Sequence, residues 1–172
     1  MNSEAYDSWP SKTERPLIRL IRTPVLGDLA LWLWSRRPLA RLTLIEGRAL
    51  HDPRVLTPEL LDGYIRANLG DRHRRRRTGR FVAGQFDPAH NRVTSEHLDG
   101  LRRFRHPTLL IWGAEDPHFG PEWGRWLLAD IPGAVRLELL PETGHLLMEE
   151  RPERVAELIN GFLAEALAER AS

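Results

Sequence analysis

The sequence predicts an α/β fold class in which a βαβα unit closes the chain and a mostly helical region precedes it. Three stretches carry that prediction. Thr108-Leu109-Leu110-Ile111-Trp112 is continuously apolar, follows Pro107 and ends at Gly113, the pattern of a strand covered on both faces inside a parallel sheet. Val135 to Leu140 alternates through Glu138, which predicts a second strand with one covered and one wetter face. After Pro152, residues Val155, Leu158, Ile159, Phe162, Leu163, Ala166 and Leu167 recur at helical spacing. Opposite them stand Glu153, Arg154, Glu157, Asn160, Glu165 and Glu169, so an amphipathic helix with one buried stripe is expected.

Between the two strands, Trp123, Trp126, Leu127 and Ile131 suit a short crossover helix stopped by Pro132 and Gly133. Two strands joined through a helix pair in parallel. Residues 1–106 read differently. Thr57 as N-cap, Pro58 at the first helical position, an apolar face of Leu60, Leu61, Tyr64, Ile65 and Leu69, and Gly70 as the stop specify one helix. A shorter one, capped by Thr94 or Ser95, runs through Leu98, Leu101 and Phe104. Leu17 to Trp34 reads as one or two helices broken near Pro24 and Gly27. The basic run from Asp71 to Arg80 has no interleaved aromatic before Phe81 and no helix-turn-helix or finger spacing around it. A solvated loop is therefore expected there rather than a phosphate-binding element.

Composition narrows the classes. The chain has 172 residues, 41% of them hydrophobic, enough for one domain with an ordinary core. A formal net charge of +1 argues against a dedicated nucleic-acid binder and against a protein held to an anionic membrane. Basic residues concentrate before residue 114 and acidic ones after it, so the two segments differ in surface character. No cysteine is present, which removes disulfides, a thiolate nucleophile and Cys-based metal sites. Leu17 to Trp34 is too short and too charged to span a bilayer. With no basic stretch and apolar run at the N-terminus, the expectation is a soluble, cytoplasmic protein.

The chemistry concentrates at two turns. Asp116 falls just beyond the carboxyl end of the first strand, and His145 just beyond that of the second, inside Glu142-Thr143-Gly144-His145. Parallel neighbours lie roughly 4.8 Å apart and share one edge for their carboxyl ends, so short loops there can bring carboxylate and imidazole together. An Asp that accepts the proton of one ring nitrogen fixes the tautomer and leaves the other nitrogen to act as a base. Glu115 is an alternative acid, but it is expected to be solvated. His118, with no third ligand at metal-site spacing, is expected on a surface loop.

The succession His106-Pro-Thr-Leu-Leu-Ile-Trp-Gly-Ala-Glu-Asp116-Pro, then Leu139-Leu-Pro-Glu-Thr-Gly-His145, then Glu149-Glu-Arg-Pro152 resembles the closing part of α/β-hydrolases. The group concerned includes haloalkane dehalogenases, epoxide hydrolases, carboxylesterases and carbon-carbon hydrolases. The resemblance implies hydrolysis of an ester, epoxide or carbon-halogen bond in a small-molecule substrate, without a cofactor, with Asp116 orienting the histidine and His145 as general base. It also implies an organisation: 1–10 as a loop leading into a cap, 11–106 as helical cap and return linker, and 107–172 as the last strands and helices of the core. Trp32, Trp34 and Tyr6 are candidate substrate-pocket residues, weighed against simple packing within the cap.

The sequence lacks one part of that machinery. A nucleophile elbow needs glycines flanking a Ser, Asp or Cys in a strained strand-to-helix turn, and no segment fits. Gly120-Pro-Glu-Trp-Gly124 matches only in its glycines. Without nucleophile and oxyanion donors, an Asp–His pair cannot form and stabilise a covalent intermediate, so the chain alone is expected to be inactive. The rival reading is a non-catalytic binding protein that retains the cap and final strands. An apolar internal strand with an unpaired edge is a pairing template. The isolated chain is therefore expected to fold poorly, to self-associate or to take up a complementing N-terminal hydrolase half. Analytical ultracentrifugation checks this, and a monodisperse, cooperatively melting monomer would exclude it.

Overall fold

The computed structural model describes residues 15–46, 49–85 and 97–171, which form two compact units: 49–55 with 97–171, and 15–46 with 56–85. The second unit is all helical: α1 (Arg15–Arg22), α2 (Pro24–Trp34), α3 (Arg37–Glu46), α4 (Pro58–Leu69) and α5 (Arg72–Gln85). The break expected between Leu17 and Trp34 falls at Thr23, whose extended backbone precedes Pro24. Gly27 instead sits inside α2. A Cβ there would lie 2.3 Å from the carbonyl oxygen of Ile21, so the glycine permits the close turn between α1 and α2. Thr57 caps α4 as expected, its Oγ1 accepting from the Leu60 N–H at 3.2 Å. The helix between residues 94 and 104 is seen at 97–101 (α6). Its proposed caps, Thr94 and Ser95, lie outside the described residues.

The basic run is not a loop. Asp71 begins α5 by accepting the Arg74 N–H through Oδ1 at 2.8 Å, and that bond together with the nearby positive charges holds its carboxyl below the usual aspartate range. The arginines then turn back on α4. Arg74 Nη1 donates to the Arg66 carbonyl at 2.6 Å and Arg75 Nη1 to that of Leu69 at 3.2 Å, while Thr78 Oγ1 donates to that of Asn68 at 2.8 Å. The last carbonyls of a helix have no partner within it. Guanidinium groups supply five donors each, so the run satisfies the end of α4 from the neighbouring helix. Arg37 binds Asp62 through two nitrogens, Nε to Oδ1 at 2.6 Å and Nη2 to Oδ2, and so joins α3 to α4.

The other unit holds the sheet: β1 (Thr108–Gly113), α7 (Pro121–Asp130), β2 (Ala134–Leu140), α8 (Leu147–Glu150) and α9 (Pro152–Ala171). The strands pair in parallel with Leu110 opposite Leu137 and Gly113 opposite Leu140, as the sequence pattern requires. Residues alternate between the faces. Leu109, Ile111 and Leu140 pack with Leu147, Val155 and Leu158 from α8 and α9. On the opposite face Gly124 of α7 approaches Leu137 and Trp112, where a Cβ would come within 3.0 Å of a Leu137 methyl. Trp112 is fully buried there, and its indole donates to the Phe119 carbonyl at 2.8 Å. Both faces of β1 are covered, and this accounts for its unbroken apolar run.

One further feature differs from the sequence pattern. The stripe on α9 is buried only at Val155 and Leu158, while Ile159, Leu163 and Leu167 are exposed, because two strands give apolar cover only to the first turns of the helix. Residues 97–106 associate with the strands rather than with the helical unit. The Gly133 N–H donates to the Phe104 carbonyl at 3.0 Å, and a Cβ on Gly133 would sit 2.0 Å from the His106 carbonyl oxygen. Among the described residues no helix is long and apolar enough to cross a membrane.

Two glycines give opposite predictions. At Gly113 a Cβ would lie 2.1 Å from the Gly144 carbonyl oxygen, so Gly113→Ala should lower stability by about 3 kcal/mol in a urea melt. Gly161 lies in α9 with nothing within 4 Å of an added Cβ, so Gly161→Ala should raise stability by roughly 0.5–1 kcal/mol through lower backbone entropy in the unfolded chain.

Candidate active site

The carboxyl ends of β1 and β2 open into two loops that are stitched together by their backbones. The Ala114 N–H donates to Leu140 at 2.9 Å and the Glu115 N–H to Thr143 at 3.0 Å. In return the Glu115 carboxylate accepts the Thr143 N–H at 2.9 Å. Glu115 is exposed, as the sequence suggests, but it also ties the acid turn to the histidine turn. Thr143 is completely buried between them. The absence of a side chain at Gly113 is what allows this approach, since a Cβ there would lie 2.1 Å from the Gly144 carbonyl oxygen and 2.6 Å from that of Thr143.

Within that frame Asp116 and His145 meet. Asp116 Oδ2 lies 3.0 Å from His145 Nδ1. The other carboxylate oxygen, Oδ1, accepts the backbone N–H groups of His118 at 2.8 Å and Phe119 at 3.1 Å. A carboxylate that already accepts from two amides presents an acceptor to the imidazole, so Nδ1 donates and the Nε2 lone pair remains for a substrate-side proton. The Asp116 side chain has no exposure and that of His145 retains 30%. Charge is thus held inside while the ring reaches the surface. The imidazole is flanked by His118, edge-on at 5.3 Å between ring centroids, and by Phe119, tilted at 5.8 Å. His118 therefore serves as a wall of the histidine's seat, and among the described residues no group of three or more acidic or His residues could hold a metal ion.

Three candidates remain: Tyr6, Trp32 and Trp34. Tyr6 lies outside the described residues. Trp32 is on α2 with the Arg36 guanidinium 4.1 Å above its ring. Trp34 lines a cleft of about 250 Å³ whose walls, among them Leu31, Leu61, Tyr64 and Val82, all belong to the helical unit. Its indole donates to Thr43 Oγ1. Sequence reasoning gave no role to Glu150, whose carboxylate accepts backbone N–H groups from both the histidine turn and residues 51–52. Its only sequence signal is its place in Glu149-Glu150-Arg151-Pro152. Glu122, the centre of the stray Gly-flanked pattern, stands in the first turn of α7.

A parallel βαβα unit thus carries an acid–histidine pair at its carboxyl edge. The profile of the alpha/beta hydrolase family matches residues 6–158, and the chain belongs to that family. It is 36% identical over 117 residues to the uncharacterized hydrolase YugF of Bacillus subtilis strain 168, a match covering 66% of this chain and 38% of that protein. Haloalkane dehalogenase DbeA from Bradyrhizobium elkani superposes with a TM-score of 0.68 at 21% identity, over 95% of this chain and 54% of that one. The Cif epoxide hydrolase from Acinetobacter nosocomialis superposes at 0.61 and 18%, over 86% and 44%. The fold is that of the α/β-hydrolases, and the chain spans about half or less of each of these proteins.

The hydrogen bond to Asp116 gives a direct prediction. In Asp116→Asn the amide nitrogen can donate to Nδ1, so the imidazole should switch to the Nε2–H tautomer. Imidazole ¹⁵N chemical shifts read the switch, and an unchanged Nδ1–H tautomer would contradict the assigned pairing.

Proposed function

We propose that the chain carries the acid and base of a hydrolase whose nucleophile lies in a segment outside these 172 residues. Asp116 orients His145. His145 Nε2 then takes a proton from water, and the resulting hydroxide adds to the carbonyl carbon of a covalent ester intermediate formed on that nucleophile. Collapse of the adduct releases the product and returns the proton. The substrate is a small molecule with an ester, epoxide or carbon-halogen bond. The observation that carries this reading is the 3.0 Å contact from Asp116 Oδ2 to His145 Nδ1, with Oδ1 fixed by two amides. A base must stand within hydrogen-bond reach of the proton it takes, and this contact holds the ring in one orientation.

Supply of the missing parts by a complementing N-terminal half is favoured by two surfaces. Among the described residues β1 pairs with β2 alone, which leaves its other edge open to a further strand. Ile159, Leu163 and Leu167 are apolar and exposed on α9. We assign the apolar cleft beside Trp34 and Tyr64 to binding of the substrate's hydrocarbon part. The alternative is a binding protein without turnover, favoured by the absence of any G-x-S-x-G-type turn in the sequence.

The test supplies the N-terminal half of the Bacillus subtilis relative in trans and assays p-nitrophenyl butyrate, styrene oxide and 1-bromobutane. Turnover of one class is expected with the mixture and not with the chain alone. His145→Ala should lower it by about 10²–10⁴-fold. A His145→Ala mixture as active as the unaltered one removes the histidine from the reaction.

A further inference from the structure

Glu150 occupies the last position of α8, where a negative charge gains nothing from the helix dipole. Its surroundings explain it instead. Oε2 accepts the Gly144 N–H at 2.7 Å, and Oε1 accepts the N–H groups of His51 at 2.7 Å and Asp52 at 3.0 Å. Both oxygens are used, and the three donors come from segments more than ninety residues apart. Bonds from amides to a carboxylate are shorter and stronger than neutral ones, and the two at 2.7 Å fit that class.

The segment gathered in this way is the one that holds the base. The Ala49 carbonyl accepts from both the His145 and the Leu146 N–H, at 3.0 and 3.1 Å. Residues 49–52 therefore lie along the histidine turn, held at one end by Ala49 and at the other by Glu150. A Cβ at Gly144 would come 2.9 Å from the His51 nitrogen and 3.2 Å from Glu150 Oε2, so the position of that segment limits where Gly144, and with it the His145 Cα, can stand. Asp52 is fixed in turn by Arg54, whose side chain and backbone N–H hold its carboxyl at about 2. Opposite this clamp, Glu115 secures Thr143 from the acid turn.

We propose that Glu150 is a positioning residue for His145: by joining Gly144 to His51 and Asp52 it sets the imidazole at bonding distance from Asp116. This rests on reading Asp116 and His145 as the functional pair, but its test does not depend on turnover. A gap opened at Gly144 would swing the ring about the loop, and Asp116, held by its own two amides, cannot follow.

Glu150→Gln keeps size and leaves one acceptor oxygen for three donors, and in the full chain it serves as the test. The expected result is a far-UV spectrum like that of the unaltered chain with loss of the low-field His145 Nδ1–H proton resonance, and exchange of the Gly144 amide faster by about tenfold or more. A folded Glu150→Gln chain that keeps the resonance overturns the proposal and leaves the Asp116–His145 pair standing. Absence of the resonance from the unaltered chain defeats the pair itself, which separates the two failures. A second measurement needs no variant. In the unaltered chain the amides of Gly144, His51 and Asp52 should exchange slowly and at a common rate, and unprotected exchange at these three equally overturns the proposal.

Discussion

The parallel pairing of β1 with β2 ends in a contact between two backbones, with Gly113 so close to the Gly144 carbonyl oxygen that no side chain fits at Gly113. The meeting of Asp116 with His145 starts from that approach. Pairing in parallel puts both carboxyl ends on one edge. The lack of a Cβ at Gly113 lets the loops touch, and once they touch, Glu115 and Thr143 exchange backbone and side-chain hydrogen bonds. Asp116 and His145 are then 29 residues apart in sequence and 3.0 Å apart in space. Hydrophobic cover on the two faces of the sheet keeps the strands in register, so burial of Ile111, Trp112 and Leu140 acts on the pair indirectly, by fixing where the loops begin.

That hierarchy decides what could be read from the chain. The meeting of Asp116 with His145 was legible because each sits within a few residues of the end of a strand with a clear apolar pattern, and so short a turn leaves little freedom for where its side chain goes. Thr57-Pro58 was legible because its capping partner lies three residues away. Glu150 was not, since its partners are backbone N–H groups, which every residue other than proline carries. No residue type at 51 or 52 could announce them. The arginines of α5 escaped for the matching reason: their acceptors are carbonyls at the end of α4, and a run of guanidinium groups looks the same whether it meets solvent, phosphate or backbone. The α9 stripe was legible as helix, but how far it would be covered depended on the width of the sheet.

The division of charge around the pair is equally local. The Asp116 carboxylate is fully enclosed and is compensated by two amides and an imidazole. Burial of a charge without such partners would cost several kcal/mol, so the carboxylate and its donors have to be present together. Glu115 and Glu150 bear the same charge nearby, and each spends it on backbone N–H groups rather than on the histidine. Among the described residues the imidazole therefore meets one carboxylate, through Nδ1, which favours a single tautomer.

Side-chain length separates these three carboxylates. An aspartate oxygen reaches the amides two and three residues ahead of it, closing an Asx-type turn on its own loop, and Asp116 does so at His118 and Phe119. Its second oxygen is left at a fixed height above the strand end, where the histidine finds it. One methylene longer, a glutamate folds over its own turn less readily and reaches instead across to the neighbouring one. Glu115 reaches Thr143, and Glu150 reaches Gly144, His51 and Asp52. The short acid meets the imidazole and the long acids fasten the loops, so exchanging Asp116 with Glu115 would preserve charge and composition while removing both sets of contacts.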